Sequence, residues 1–181
     1  MFLIDADIKQ AIEADERAQI TEADDSIMNF GISYATAEIA SFLGQQFDMD
    51  YELRDVSLYN NSHAYSVDDR VSYNNSGTTS VYTCTVAGTG NAPTDPTHWK
   101  GDDRNVLLVS KCLDIAIFTI FRRINPRFES DLRMKRHNDA INWLRDVRDK
   151  NAMQPKLKKI IATPDGGRMR SGNGNGNQRQ Y

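Results

Sequence analysis

The chain is poor in the residues from which active sites are most often built. It has three histidines, two cysteines and two tryptophans in 181 residues. Cys84 and Cys112 fall in different segments, so two reduced thiols are expected rather than a disulfide framework. His63 and His98 have no neighbouring Cys or carboxylate in the pattern of a zinc site, and His137 falls on an apolar helical stripe, as a core or interface residue rather than a base. No phosphate-cradling glycine loop precedes a helix, and there is no nucleophile elbow. The adjacent acids Asp68-Asp69 and Asp102-Asp103 lack the regular series of oxygen ligands that a calcium loop needs, and read as turns or solvated surface. The sequence thus offers no catalytic residue, no metal ligand and no cofactor site, and the expectation is a protein that is not an enzyme.

Long apolar runs are missing too. None approaches the roughly 20 residues of a membrane-spanning helix. The most apolar window, Ile115–Phe121, is closed by Asp114 and Arg122. The first residues are acidic, without the basic and apolar regions of a signal peptide. No membrane partner is expected.

What is present is a gradient of charge. Residues 1–56 hold 3 Lys+Arg against 13 Asp+Glu, residues 57–103 hold 2 against 5, and residues 104–181 hold 17 against 7. Three readings follow. The two ends pair within one monomer, or the acidic end of one copy meets the basic end of the next, as in a head-to-tail ring, or the basic end meets nucleic acid. No interleaving of basic and aromatic residues typical of a nucleic-acid reader supports the last.

Helical periodicity marks four segments. The first spans about Asp5 to Arg17, with Ile4, Ile8, Ala11 and Ile12 apolar and Asp5 and Asp7 suiting the helix dipole. The second spans about Ser26 to Gln46, with Met28, Ile32, Ala35, Ile39 and Phe42 on one line. Phe30, Tyr34 and Phe47 lie off that line, as core or as a second face towards another subunit. Asp48 to Asp55 reads as the exit from the core. The third helix, Arg104 to about Ile124, is apolar almost all round and is expected to be enclosed. Asn125-Pro126 ends it. The fourth, about Glu129 to Asn151, carries the stripe His137, Ala140, Ile141, Leu144 and Val147, with Trp143 beside it as a core residue or an intersubunit anchor.

Between the second and third helices the composition changes. Residues 57–103 are rich in Asn, Ser, Thr, Gly, Tyr and Val, and alternation in Arg70–Tyr73 and Ser80–Val86 flanks the turn residues Asn74–Gly77, a hairpin signature. At the other end, Lys156–Ile161 reads as a short strand after Pro155. Residues 164–181, with their Gly-Asn repeats, cannot build a core. A partner that adds this arm as an edge strand, or clamps it, is the expected source of order. Leu157, Ile160, Ile161, Arg168, Arg170, Arg179 and Tyr181 are its candidate docking residues.

With residues 57–103 set aside, the order of segments resembles the head–tail connector (adaptor) family of tailed bacteriophages, Mu-like type. The features that carry the resemblance are Ala35-x-x-Glu38-Ile39-x-x-x-Leu43 on the second helix, Asp114-Ile115-Ala116 on the third and Asp139-Ala140-x-x-Trp143-Leu144 on the fourth. It covers residues 1–56 and 104–155. The resemblance implies a mainly α protein: a four-helix connector domain with a small β-rich insertion (57–103) between helices two and three and an extended C-terminal arm (156–181). It also implies a structural virion protein at the head–tail interface, made in the host cytoplasm. Its copies would form a ring, commonly of twelve, that joins the portal to the tail and other ring proteins. The DNA would pass through the lumen without sequence-specific binding.

The insertion in turn resembles small chitin-binding-type carbohydrate-binding modules, through Tyr65 to Tyr73 and the Pro93, Pro96 and Trp99 ending. Asp68 stands where those modules carry glycine, which puts the turn geometry in doubt. Tyr65, Tyr73, Tyr82 and Trp99 are either stacking contacts for a sugar or a neighbouring protein, or the module's small core. A carbohydrate- or surface-binding module on a helical scaffold is the alternative function.

Overall fold

The computed structural model describes residues 1–12, 25–124, 130–150 and 155–160. In chain order these form α1 (Asp5–Ala11), α2 (Asp25–Leu43), α3 (Met49–Glu52), β1 (Val56–Leu58), β2 (Ala64–Tyr65), β3 (Arg70–Asn75), β4 (Thr78–Cys84), β5 (Gly88–Thr89), β6 (Trp99–Gly101), α4 (Val106–Ile124) and α5 (Asp131–Arg148). The expected mainly α, four-helix architecture is therefore corrected to a mix of α and β. The described residues hold five helices, a four-stranded sheet and a two-stranded ladder. The extra helix is α3. The acidic stretch read as an exit turns back as one helical turn that buries Met49 and Glu52, capped by Asp48, whose carboxylate accepts from the Tyr51 N–H at 3.1 Å.

The helical core is built on α4, which packs against α2, α5 and α1. Ile32, Ala35, Ile39 and Leu43 of α2 meet Leu108, Cys112, Ile115, Ala116 and Ile120 of α4, and Ala140, Ile141, Leu144 and Val147 of α5 close the third side. These are the apolar positions three and four apart that place one stripe on each helix. Phe2, Leu3 and Phe47 are also in this core. α4 is less enclosed than its sequence suggests, because Val106 is 79% and Leu107 48% exposed. Where α2 crosses α4, Gly31 leaves no room for a side chain. A Cβ there would overlap Ile120 and lie 3.1 Å from the Ala116 carbonyl oxygen. Gly31→Ala is therefore expected to cost about 1–3 kcal/mol of stability despite alanine's better helix propensity, as read by urea unfolding.

The sheet order is β1-β3-β4-β6, with β1 parallel to β3 and the other pairs antiparallel. The hairpin read from Asn74–Gly77 is present as β3–β4, joined by Ser76-Gly77. Both turn residues have positive φ, 52° and 92°. That is the primed two-residue turn whose twist matches the strands, and glycine carries the second position without strain. Asp68 is also left-handed, at φ 73°. This is a backbone conformation that favours glycine, and aspartate tolerates it better than most residues. The expected C-terminal strand is reduced to one antiparallel bridge, Phe47 with Lys159. The proline corner at 125–126 and the distal ends of the first and fourth expected helices lie outside the described residues.

Candidate functional site

The β strands enclose a second small core of Tyr65, Val71, Cys84 and Trp99, with Tyr59 and Tyr82 packed against it. Trp99 is 4% and Tyr65 5% exposed. Their rings meet edge to face at 5.2 Å. Tyr59 stacks on Tyr65 at 5.7 Å and meets Tyr73 and Trp99 edge-on. Trp99 Nε1 and the Tyr59 hydroxyl both donate to the Asn91 carbonyl at 3.0 Å. Burial, helped by the neighbouring tyrosines, raises the Tyr59 phenol above its ordinary pKa. Of the four aromatics proposed as contacts, Tyr65 and Trp99 are thus interior, while Tyr73 and Tyr82 are half-buried and lie edge-on to each other. Tyr59 is the ring that sequence reasoning missed.

Two buried arginines fasten the sheet to the helices. Arg70, at the start of β3, is 2% exposed. Its Nε donates to Asp103 Oδ1 at 2.8 Å and its Nη1 to the Glu52 carbonyl at 2.9 Å. Asp103 also accepts from Arg54 Nη2 at 2.9 Å and from Thr83 Oγ1 at 2.8 Å, with Lys100 at 3.3 Å. Burial pushes the Asp103 carboxyl upward. The hydrogen bonds from Arg70 and Thr83 and the charges of Arg70 and Arg54 outweigh it, and hold the group well below the usual carboxylate range.

One residue on, Arg104 is 7% exposed. It grips Asp7 of α1 with two bonds, at 2.7 and 3.0 Å, and Asp102 with bonds at 2.7 and 3.0 Å. Its Nη1 also donates to the Phe2 carbonyl at 3.0 Å. Burial works against its charge, but Asp102 and Asp7 overcome this and raise its pKa. Arg104–Asp7 and Lys158–Asp48, at 2.9 Å, pair the basic and acidic ends of the sequence within one chain. The sequence signal for these fasteners is a repeated triplet. In Asp68-Asp69-Arg70 and Asp102-Asp103-Arg104 an arginine directly follows each acidic pair, and in both it is the arginine that is buried.

The C-terminal segment leaves the helical core beside α3. The Asp48 N–H donates to the Lys158 carbonyl at 2.8 Å and the Ile160 N–H to the Gln46 carbonyl at 3.1 Å. The Lys158 N–H donates to Glu52 Oε1 at 2.7 Å. Leu157, proposed as a docking residue, is buried in the chain's own core, whereas Ile160 is exposed. Ile161, Arg168, Arg170, Arg179 and Tyr181 lie outside the described residues. Trp143 is half-buried against the helical core. His137 is half-buried too, stacked on Phe118 at 4.2 Å. Phe30 and Tyr34 of α2 are exposed, 6.4 Å apart, with Arg123 5.0 Å above the Phe30 ring. Leu132 and Met134 of α5 are exposed as well.

Polar clusters of other kinds are local. Asp95, Thr97 and His98 bond one another within one turn, and the bonds from Thr97 and His98 bring the Asp95 carboxyl down to about 2. The free thiols of Cys84 and Cys112 are buried, and burial pushes Cys112 up to about 12. Among the described residues no group of His, Cys, Asp and Glu is placed to hold a metal ion. No helix among them is long and apolar enough to cross a membrane. No protein-family model, curated protein or solved structure matches this chain.

Proposed function

We propose that this chain is a structural virion protein, a subunit of a ring that joins portal to tail and lets the genome pass through its lumen. Its role is mechanical rather than catalytic. The observation that carries this reading is a set of exposed large apolar side chains on the helices: Phe30 and Tyr34, neighbours on α2, Val106 and Leu107 at the start of α4, and Leu132 and Met134 on α5. Exposed apolar side chains that lie side by side, as Phe30 and Tyr34 do, mark interaction surfaces. The segregation of acid towards residues 1–56 and base towards 104–181 supports contacts between unlike ends of adjacent copies, although part of that charge is neutralised within the monomer. The anchored exit at Lys158–Ile160 supports an arm that starts from a fixed point. Glycan binding has no comparable support, since Trp99 and Tyr65 have their ring faces occupied within the module.

The test is the mass of the full-length chain, and of a chain ending at residue 160, which keeps the buried Leu157 and the Lys158–Ile160 anchor, each mixed with a candidate portal protein. A large complex formed by the full chain and lost on truncation is the expected result. Two samples that stay monomeric, with the portal surface unchanged, overturn the reading.

A further inference from the structure

Most of one side of β4 has no strand beside it. β3 pairs with β4 from Thr78 to Thr83, whereas β6 pairs with it only over Tyr82–Cys84. Thr78–Val81 therefore form an open edge. The two-residue turn makes Asn75 and Thr78 its closing hydrogen-bonded pair, so alternation turns the backbone groups of Ser80 and Tyr82 towards β3 and those of Thr79 and Val81 away from it. Neither ladder uses the N–H groups of Thr79 and Val81 or the carbonyl of Thr79, whereas the Tyr82–Gly101 pairing sets the carbonyl of Val81, 4% exposed, against Asp102 at the end of β6. Across from this edge lies α1, and between them is a groove of about 490 Å³ lined by Ile4, Ala6 and Gln10 on one side and Thr79 and Val81 on the other, and closed at the β6 end by the Asp7–Arg104–Asp102 clamp.

We propose that this groove takes the segment Ser171–Asn177 of a second copy, added as an extended strand in line with β6. The inference rests on the reading of the chain as a self-associating subunit, and names the contact. A strand edge binds main chain, so the occupant must be extended and need not be apolar. Residues 171–177 read Ser-Gly-Asn-Gly-Asn-Gly-Asn. In a strand, successive side chains point to opposite faces. Gly172, Gly174 and Gly176 would share one face and Asn173, Asn175 and Asn177 the other. The bare glycine row can approach Ala6 on α1 closely, and the asparagines stay on the wet side. Gly and Asn are poor strand formers, so the segment gains this form only against a template. Residues 161–181 carry Arg168, Arg170 and Arg179 against Asp165, which suits the acidic first 56 residues. The chain from Ile160 to Ser171 spans up to about 36–40 Å when extended, enough to cross to a neighbour.

The test is hydrogen exchange of the Thr79 and Val81 amides in the full-length chain, from micromolar to hundreds of micromolar concentration, with sedimentation in parallel. Protection at both amides that rises with association is expected. Thr79→Pro removes an N–H that the β3 ladder does not use. It should weaken association by about ten-fold or more, a loss of about 1.4 kcal/mol or more. Gly174→Val with Gly176→Val, which fills the bare face of the segment, should do the same. Exchange at open-edge rates at every concentration overturns the proposal, as does protection independent of concentration, or association unchanged in the glycine variant. A chain that still forms the complex with portal while these amides stay open overturns this inference alone and leaves the ring reading standing.

Discussion

Asp103→Ala is expected to remove about 3–5 kcal/mol of stability, the range for breaking a buried pair by taking away one partner. Asp103 is the common acceptor of Arg54, Arg70 and Thr83. Without it Arg70 keeps its bond to the Glu52 carbonyl but stays buried with its charge uncompensated. The loss also carries a pH signature. The folded carboxyl is held below its unfolded value, so its contribution is fully present above the ordinary carboxylate range, about pH 4. It declines as pH falls towards the lower, folded value, because the unfolded chain takes up the proton first. Wild type should therefore lose stability in acid more steeply than Asp103→Ala. Urea unfolding at neutral pH and near pH 3 checks both parts. A neutral-pH loss below about 0.5 kcal/mol, the scale of an exposed pair, refutes the buried-charge argument.

The helices were legible because each must bury one stripe, and that demand writes a period into the sequence: Ile32, Ala35 and Ile39, then Ala140, Ile141 and Leu144. The β3–β4 hairpin was legible because alternating runs flank the turn residues Asn74–Gly77, whose glycine supplies a positive φ that the turn requires. The balance of α and β was not. β1 and β6 are three residues each, too short to show alternation, and they become strands through partners distant in sequence. β1 even runs parallel to β3, which no local turn signals. α3 was missed because a single capped turn of acidic residues looks like an exit loop. The tie between sheet and helices was missed for another reason. Asp7 and Arg104 are 97 positions apart, and only the fold shows that a charge gradient along the chain closes on itself there. The same closure put Leu157 in the chain's own core instead of on a docking arm.

Replacing Arg104 by methionine is expected to cost about 3 kcal/mol or more, the lower part of the range for a broken buried pair. Methionine keeps the volume of the stem and removes five donors. Asp7 then loses both of its bonds from Arg104, the Phe2 carbonyl loses its donor, and Asp102, largely exposed, is returned to solvent at little cost. Asp7 keeps only the Ile4 N–H, at 2.8 Å. Because Asp7 is the partner that suffers, the effect should be coupled to it. In a cycle of Arg104→Met and Asp7→Asn, the double variant should be more stable than the two separate losses predict, by about 1–3 kcal/mol. Arg104→Lys tests the fork geometry, since an ammonium group cannot serve Asp7, Asp102 and Phe2 together as a planar guanidinium does. It should recover only part of the loss. Additive costs for Arg104→Met and Asp7→Asn would mean that the two residues are not coupled, and full rescue by lysine that charge alone suffices; either result refutes the clamp as what sets where α1 sits against the end of the sheet.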